Sequence, residues 1–487
     1  MWKEKIKKLF PKTYSFYRKV LANLAAFFYH WPSEKLLVIG VTGTAGKSTV
    51  VNLITKIFED GGFRVGMISS SNFRINKKER PNIIRMTMPG PFCLQRLLHQ
   101  MVREKCQYVV IETTSQGLIQ WRHTGINYDL AVITNLLPEH LESHGSFEQY
   151  KQAKGLLFKS LSKKRKETRF CSLFALLLRF VQQGFAKVLR RTKSGVAKDK
   201  KIKVINLDDK EADYFLNFKS DLTYGFSLNS NNNKSKNCQK VISPIPGWEI
   251  KENGLEFIIK GTEFKTNLLS KFNLYNSLAA ITTCFACGIS LEKMKRSLAE
   301  VEKIPGRFEI IIDKPFKVVV DYAHTPDELF GVYNFFSAFA KGYGGSTEAL
   351  REGGKKVLPG SCQNRQRGKL IVVFGSCGGG RDKWKRKVLG EIADKFADEI
   401  ILTNEDPYDE EPGEIIEQVA IGIRIKKNFY KILDRREAIR KALRLASVND
   451  IILITGKGVE KSIMSRKGKK IPWSDKEVVE EELKKLR

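Results

Sequence analysis

The run Val38-Ile39-Gly40-Val41-Thr42-Gly43-Thr44-Ala45-Gly46-Lys47-Ser48-Thr49 restricts what this chain can fold into more than any other stretch. β-Prone apolar residues stop at glycines, and Gly46-Lys47-Ser48 then opens a helical pattern over Thr49–Asp60. So sharp a turn needs glycine, whose missing Cβ admits backbone angles closed to other residues. Amide N–H groups in such a turn, reinforced by the positive end of the helix, attract phosphate. Gly43, Thr44, Ala45, Gly46, Lys47, Ser48 and Thr49 are therefore predicted to cradle ATP, with Lys47 reaching the β- and γ-phosphates and the Ser48 hydroxyl on Mg²⁺. The strict pattern G-x-x-x-x-G-K-[ST] is not met, because Val41 stands where its first glycine belongs. This is a variant phosphate loop.

The rest of the chain repeats the alternation that a parallel sheet requires. Leu36–Val41, Tyr108–Glu112 and Leu130–Thr134 read as buried strands, and so do Phe316–Val320, Leu370–Phe374, Glu399–Thr403 and Asp450–Thr455. Strands separated by helical stretches predict an α/β fold. A central, mostly parallel P-loop-type domain is expected over 36–305 and a Rossmann-like α/β domain over 306–487. Residues 1–35 read as a basic amphipathic segment, 161–201 as a basic helix-like insertion, Asn229–Lys236 as a polar surface loop and 342–368 as a glycine-rich mobile loop. In open α/β sheets ligands sit beyond the carboxyl ends of the strands. Polar clusters follow the strands here: Glu112–Ser115, Asn135–His144, Asp321–Pro326, Gly375–Arg381, Asn404–Tyr408 and Gly456–Gly458.

The net charge of +32 admits nucleic acid, an anionic membrane or anionic substrates as partners. No zinc-finger spacing or RNA-recognition motif accompanies it, so nucleic acid is not expected. Much of the excess lies in 1–35, around Trp2, Leu9, Phe10, Phe16, Leu21 and Phe27, and in 161–201, around the apolar run Phe170–Phe180. Each segment reads either as a helix lying on a membrane surface or as a solvated basic helix packed on its own domain. Charge ahead of Val20–Phe28 also fits a secretory signal, but an ATP site directly behind it argues for the cytoplasm. No apolar run reaches the ~18 residues of a spanning helix. The eight cysteines are scattered, as in a reducing compartment. Cys284 and Cys287 lie inside the apolar run Leu278–Ile289 and read as core.

Together the clusters resemble the Mur ligase family, which adds amino acids to the peptide stem of bacterial cell-wall precursors. The resemblance is carried by Gly43–Ser48, Thr134-Asn135, Glu139–Gly145, Tyr150–Lys154, Phe272–Asn276, Gly306–Glu309, Asp321–Pro326, Arg381–Arg386 and Gly456–Gly458, in family order over most of the chain. It is strongest toward the branch that adds the third stem residue, the UDP-MurNAc-tripeptide synthetases. It implies an ATP-dependent ligase that joins a free amino acid to a muropeptide carboxylate through an acyl phosphate, releasing ADP and phosphate. A carboxylate has no usable leaving group until it is phosphorylated, and Mg²⁺ neutralises charge as the phosphoryl group moves. Ser48 and Glu112 are the implied ligands of a first Mg²⁺. His140 and Lys154, the lysine carbamylated by CO₂, are the implied ligands of a second. The resemblance makes Lys47, Glu112, His140, Lys154 and Asp321 catalytic, and Asn276, Arg307, Asp321 and His324 nucleotide contacts. Thr87, Pro89, Thr114, Ser115 and Arg122 fall to the sugar-peptide acceptor, and Glu405, Asp406, Tyr408, Gly456 and Glu460 to the amino acid. A cytoplasmic monomer is expected, with a peripheral place at the inner membrane face as one reading of the basic segments.

The pattern departs from the family in three places. Only ~35 residues precede the first strand, too few for an independent domain, so the N-terminal domain that grips UDP is expected to be missing. Diaminopimelate-adding relatives carry Asp-Asn-Pro-Arg, but here the run is Glu405-Asp406-Pro407-Tyr408. Tyrosine cannot make arginine's bidentate pair with a carboxylate, and the acids favour a cationic side chain, which tilts the reading toward lysine or another amine-bearing residue. Gln116 and Glu139 replace a common histidine and aspartate. Two other readings stay open. One is a ligase of the same superfamily with a non-UDP acceptor, like folylpolyglutamate or cyanophycin synthetase. The other is a nucleotide-dependent, membrane-associated scaffold without ligase activity.

Overall fold

A computed structural model describes residues 11–70, 72–82, 86–161, 200–229, 233–244, 247–251, 254–302, 304, 306–342, 367–424 and 428–486. The expected insertion 161–201 and mobile loop 342–368 lie almost wholly outside them. The chain divides into two compact units: Met1–Leu136 with Lys151–Ser243 and Tyr275–Ser297, and Leu137–Tyr150 with Pro244–Leu274 and Leu298–Arg487.

The first unit is built on a nine-stranded sheet. Its strands are β1 (Leu37–Thr42), β2 (Val65–Ile68), β3 (Asn72–Ile75), β4 (Lys78–Pro81), β5 (Tyr108–Glu112), β6 (Leu130–Ile133), β7 (Ile202–Asn206), β8 (Leu222–Phe226) and β9 (Lys240–Ile242), in the order β4-β3-β2-β5-β1-β6-β7-β8-β9. Pairing is parallel from β2 to β9, and β3 and β4 run antiparallel at one edge. β1, β5 and β6 are buried along their whole length, as apolar strands covered on both faces must be. The longer helices are α1 (Pro11–Phe28), α2 (Lys47–Asp60), α3 (Pro91–Arg103) and, crossing between the units in sequence, α4 (Phe147–Leu161) and α5 (Lys271–Ala286). Cys284 and Cys287 are buried, and burial drives both thiol pKa values up, the behaviour of core residues. The run Asn229–Lys236 leads into a short 3-10 turn, Asn233–Asn237, that ends one residue beyond it.

β1 pairs with β5 on one side and β6 on the other, with Val41 opposite both Glu112 and Val132. The loop leaving β1 therefore emerges between the ends of β5 and β6. This register sets Glu112 on one flank of the phosphate loop and Thr134-Asn135 on the other.

The second unit holds an antiparallel sheet of β10 (Trp248–Lys251), β11 (Gly254–Ile259) and β12 (Thr262–Thr266), and a six-stranded sheet. The larger sheet comprises β13 (Glu309–Ile312), β14 (Lys317–Asp321), β15 (Leu370–Phe374), β16 (Glu399–Leu402), β17 (Asn428–Lys431) and β18 (Ile451–Thr455), ordered β13-β14-β18-β15-β16-β17 and parallel except for β13. Val320, Val373, Ile401 and Ile454 pack on Ile439 and Val479 from the helices α6 (Arg435–Leu445) and α7 (Asp475–Leu486). Buried Arg435 joins these helices with two bonds of 2.8 Å to Asp475, and also donates to the Thr455 carbonyl at 3.0 Å.

Candidate active site

In the first unit the phosphate loop is held from both flanks. Asn135 Oδ1 accepts from the Ala45 N–H at 2.9 Å and the Thr44 N–H at 3.2 Å, and the Thr134 hydroxyl donates to the Ala45 carbonyl at 2.7 Å. Two loop amides are thus tied to Asn135. The amides of Lys47, Ser48 and Thr49 precede the first intrahelical bond, from the Val50 N–H to the Gly46 carbonyl, and form the donor end of α2. Gly46 has φ 81°, a left-handed angle that glycine takes without strain, and a Cβ there would run into the side chain of Asn276 on α5. The expected nucleotide contact Asn276 is therefore against the loop. Lys47 curls back, its Nζ 2.5 Å from the Thr44 carbonyl.

Glu112 is buried and richly bonded. Its Oε2 accepts from the Ser48 hydroxyl at 3.0 Å, the Ser69 hydroxyl at 2.9 Å and the Ser70 N–H at 2.9 Å, and its Oε1 from the Ser70 hydroxyl at 2.7 Å. The Ser70 hydroxyl also accepts from Thr87 at 3.2 Å. Glu112 is thereby linked to Ser48 directly and to Thr87 through Ser70, one of the pair Ser69-Ser70, which sequence reasoning missed. Its only signal was a polar pair after the short strand Val65–Ile68. Hard oxygens of a hydroxyl and a carboxylate at the foot of a phosphate loop are a donor set suited to Mg²⁺. Among the described residues no three His, Cys, Asp or Glu side chains gather as a metal cluster.

Lys154 is buried, and its Nζ donates to the Gly43 carbonyl at 2.6 Å. The lysine thus reaches the loop from α4 through an amine whose partner is loop backbone. Thr114 caps the short helix Ser115–Ile119 by accepting from the Gly117 N–H at 3.1 Å. Ser115 and Pro89 are buried. Arg122 donates to the Met88 carbonyl and, at 2.5 Å, to Gln120, and burial lowers its pKa.

The second unit gathers the remaining candidates beyond β14, β16 and β18. His140 (φ 56°) is held by its own N–H, which donates to Asp382 at 2.9 Å. Its ring lies 3.7 Å from Glu139 and 3.8 Å from Asp382. Glu139 also stands 3.5 Å from His324. Burial alone would lower the His324 pKa, but Glu328 and the bond to Glu139 outweigh it and the net shift is upward. Asp321 is buried, which raises its pKa against the opposing pull of Arg307 and the Phe308 and Ala323 N–H groups. Arg307 pairs with Glu328 at 3.4 Å and lies over the Tyr322 ring at 4.8 Å. Arg307, Asp321, His324 and His140 are therefore one linked group, with Asp382 as a member the sequence did not single out.

A second group surrounds Lys457, whose buried ammonium pairs with Asp406 at 2.8 Å and with Glu460. Burial lowers its pKa, but those two acids more than reverse the shift. Asp406 also accepts from the Met464 N–H at 2.7 Å, Glu405 accepts from the Cys377 thiol at 3.0 Å, and Tyr322 donates to Glu460 at 3.2 Å. The Gly456 N–H donates to the Asp321 carbonyl at 3.2 Å. The Tyr408 ring carries the Arg381 guanidinium 4.7 Å from its centre. All five residues expected to meet the amino acid thus border the ends of β16 and β18, together with Arg381 and Lys457.

The model of the Mur ligase middle domain matches residues 41–171, and that of the Mur ligase glutamate ligase domain matches 354–458. UDP-N-acetylmuramoyl-L-alanyl-D-glutamate–2,6-diaminopimelate ligase 1 of Clostridium acetobutylicum is 32% identical over 486 residues, covering 96% of this chain and 82% of that protein. The ligase of the same name, without the number, from Geobacillus thermodenitrificans is 34% identical over 451 residues, covering 91% and 78%. Among solved structures, a UDP-N-acetylmuramoyl-L-alanyl-D-glutamate–2,6-diaminopimelate ligase superposes with a TM-score of 0.55 at 26% identity, over 96% of this chain and 83% of that one. Folylpolyglutamate synthase of Mycobacterium tuberculosis gives 0.61 at 14% identity, over 93% and 95%, a likeness of fold.

Proposed function

The chain belongs to the Mur ligase family and is an ATP-dependent ligase of the peptidoglycan type, and from that premise we propose that it joins a diamino acid to the carboxylate of a UDP-MurNAc-peptide or related muropeptide through an acyl phosphate. The observation that carries the proposal is Glu112, a buried carboxylate tied to Ser48 at the foot of the phosphate loop. The domain 36–305 takes the nucleotide and the domain 306–487 the incoming amino acid. The amides opening α2 and the Lys47 ammonium bind the β- and γ-phosphates, which requires Lys47 to leave the Thr44 carbonyl. Ser48 and Glu112 would hold a Mg²⁺, which would supply positive charge against the phosphate oxygens. Carbamylation of Lys154 would turn a donor into an oxygen ligand beside the loop, and His140 offers a nitrogen ligand oriented by Asp382. Asp321, His324 and Arg307 are assigned to the nucleotide, and exclusion of water would protect the acyl phosphate from hydrolysis.

For the amino acid, Glu405, Asp406 and Glu460 outnumber Lys457 and Arg381 by one charge, which favours a side-chain amine. The relatives named for 2,6-diaminopimelate, itself a diamino acid, support the same class. Purified protein given ATP, Mg²⁺, a UDP-MurNAc-dipeptide and either lysine or diaminopimelate should release ADP only when acceptor and amino acid are both present, with a product heavier by one residue. ADP release that needs neither substrate, or none at all, refutes the proposal.

A further inference from the structure

The helix α1 meets its unit through small residues and turns its large ones outward. Ala22, Ala25 and Ala26 are fully buried. Gly125 (φ 81°) is what allows this approach, since a Cβ there would sit 2.7 Å from that of Ala26. Trp121 donates to Ser15 at 2.7 Å, Arg18 donates to Gln120 at 2.8 Å, and Lys19 lies 3.7 Å over the Trp121 ring. The helix is therefore docked and its rotation fixed.

The opposite face carries Phe16, Tyr17, Val20, Leu24, Phe27 and Phe28, between 36% and 65% exposed. At ~100° per residue they fall within roughly 120° of arc, one continuous stripe. Phe92 on α3, 43% exposed, extends it, its ring 6.2 Å from that of Phe28. Arg96 and Arg103, on the same row of α3 as Phe92, are exposed beside it. Apolar patches of this extent mark interaction sites. Charge says which kind: residues 1–35 hold eight Lys and Arg against two Glu in a chain of net charge +32. A second copy would bring like charge against like, whereas an anionic bilayer offers both the apolar phase and the counter-charge. Among the described residues no helix is long and apolar enough to cross a membrane.

We infer that α1 and the exposed row of α3 form an interfacial docking face that seats the ligase on an anionic lipid surface. The inserted stripe supplies the apolar contact, and each Lys or Arg near the surface adds roughly fivefold to binding. The test is co-sedimentation of the full chain with phosphatidylcholine vesicles, with and without phosphatidylglycerol. Binding is expected with phosphatidylglycerol, weakening in high salt and at least about tenfold weaker for Leu24→Glu/Phe27→Glu. Both side chains are exposed, so the variant should keep its melting temperature. Failure to bind phosphatidylglycerol vesicles overturns the inference. So does equal binding by the variant, or a dimer that the variant dissociates without any vesicle binding. None of these outcomes bears on the ligase reaction.

Discussion

Glu112→Gln separates a metal-binding carboxylate from a merely structural one. Three donors meet Oε2 and one meets Oε1. A glutamine with its oxygen in the Oε2 position keeps the three, and its amide meets the Ser70 hydroxyl, which can rotate to accept. The folding cost is then the loss of charge assistance, about 1–2 kcal/mol. Toward a divalent cation the loss is larger. A unit charge at ~4 Å and an effective dielectric near 20 is worth about 4 kcal/mol per cation charge, so Mg²⁺-dependent turnover should fall by roughly 10³-fold or more. The assay is ADP release against Mg²⁺ concentration, with melting temperature recorded alongside. A variant that melts much lower yet keeps the wild-type Mg²⁺ dependence would show that Glu112 serves only to tie Ser48, Ser69 and Ser70 together, and the metal assignment would fail.

Asn135→Ala orphans the Ala45 N–H, whereas Thr44 keeps the Asn135 carbonyl at 3.0 Å. The loss of about 1–2 kcal/mol should weaken ADP binding roughly 5–30-fold by calorimetry. Asp475→Asn strips a buried guanidinium of its charged partner, which costs about 3–5 kcal/mol and should lower the melting temperature of the second unit by about 6–20 °C. Glu410, bonded to Arg386, the Gly380 N–H and Lys383, has its pKa drawn from 4.5 down to about 2, chiefly by Arg386. A depressed carboxylate stabilises above its unfolded pKa. Its contribution, about 1 kcal/mol after solvent screening, is present above pH 4.5 and lost as pH falls toward 2. Urea midpoints of wild type and Glu410→Gln should therefore differ at neutral pH and converge in acid.

Local pattern made the strands and the loop legible. Apolar runs ending in polar clusters located β1, β5, β6, β14, β15, β16 and β18 within a residue or two at each end. Burial on both faces makes such strands uniform in sequence. Long-range polar pairing left no such trace. Arg435 and Asp475 are 40 positions apart, and nothing in either segment marks a buried pair. Asn135 stood in a quoted motif, yet its role as acceptor for the loop amides follows only from β6 lying beside β1. Ser69-Ser70 was hidden because β2 is four residues long and interrupted by Gly66, too short for a periodic signal. Lys457 was part of a motif, but its charge balance with Asp406 and Glu460 depends on side chains converging from two strand ends.

That balance also changes how Tyr408 is to be understood. Taken alone, tyrosine in place of arginine removes the cation that would meet a distal carboxylate. In the folded unit the Arg381 guanidinium lies against that ring, so a cation stands beside the position the substitution vacated. Meanwhile Asp406 and Glu460 share the single Lys457 ammonium and Glu405 accepts from the Cys377 thiol, so the three carboxylates outnumber Lys457 and Arg381 by one charge. A side-chain amine is favoured on either count. Whether a carboxylate beside that amine is also accepted then rests on Arg381, held by stacking on Tyr408, rather than on residue 408 itself. Under the proposed function, discrimination between lysine and diaminopimelate would rest on a pair 27 positions apart in sequence, which a single-position motif comparison cannot register.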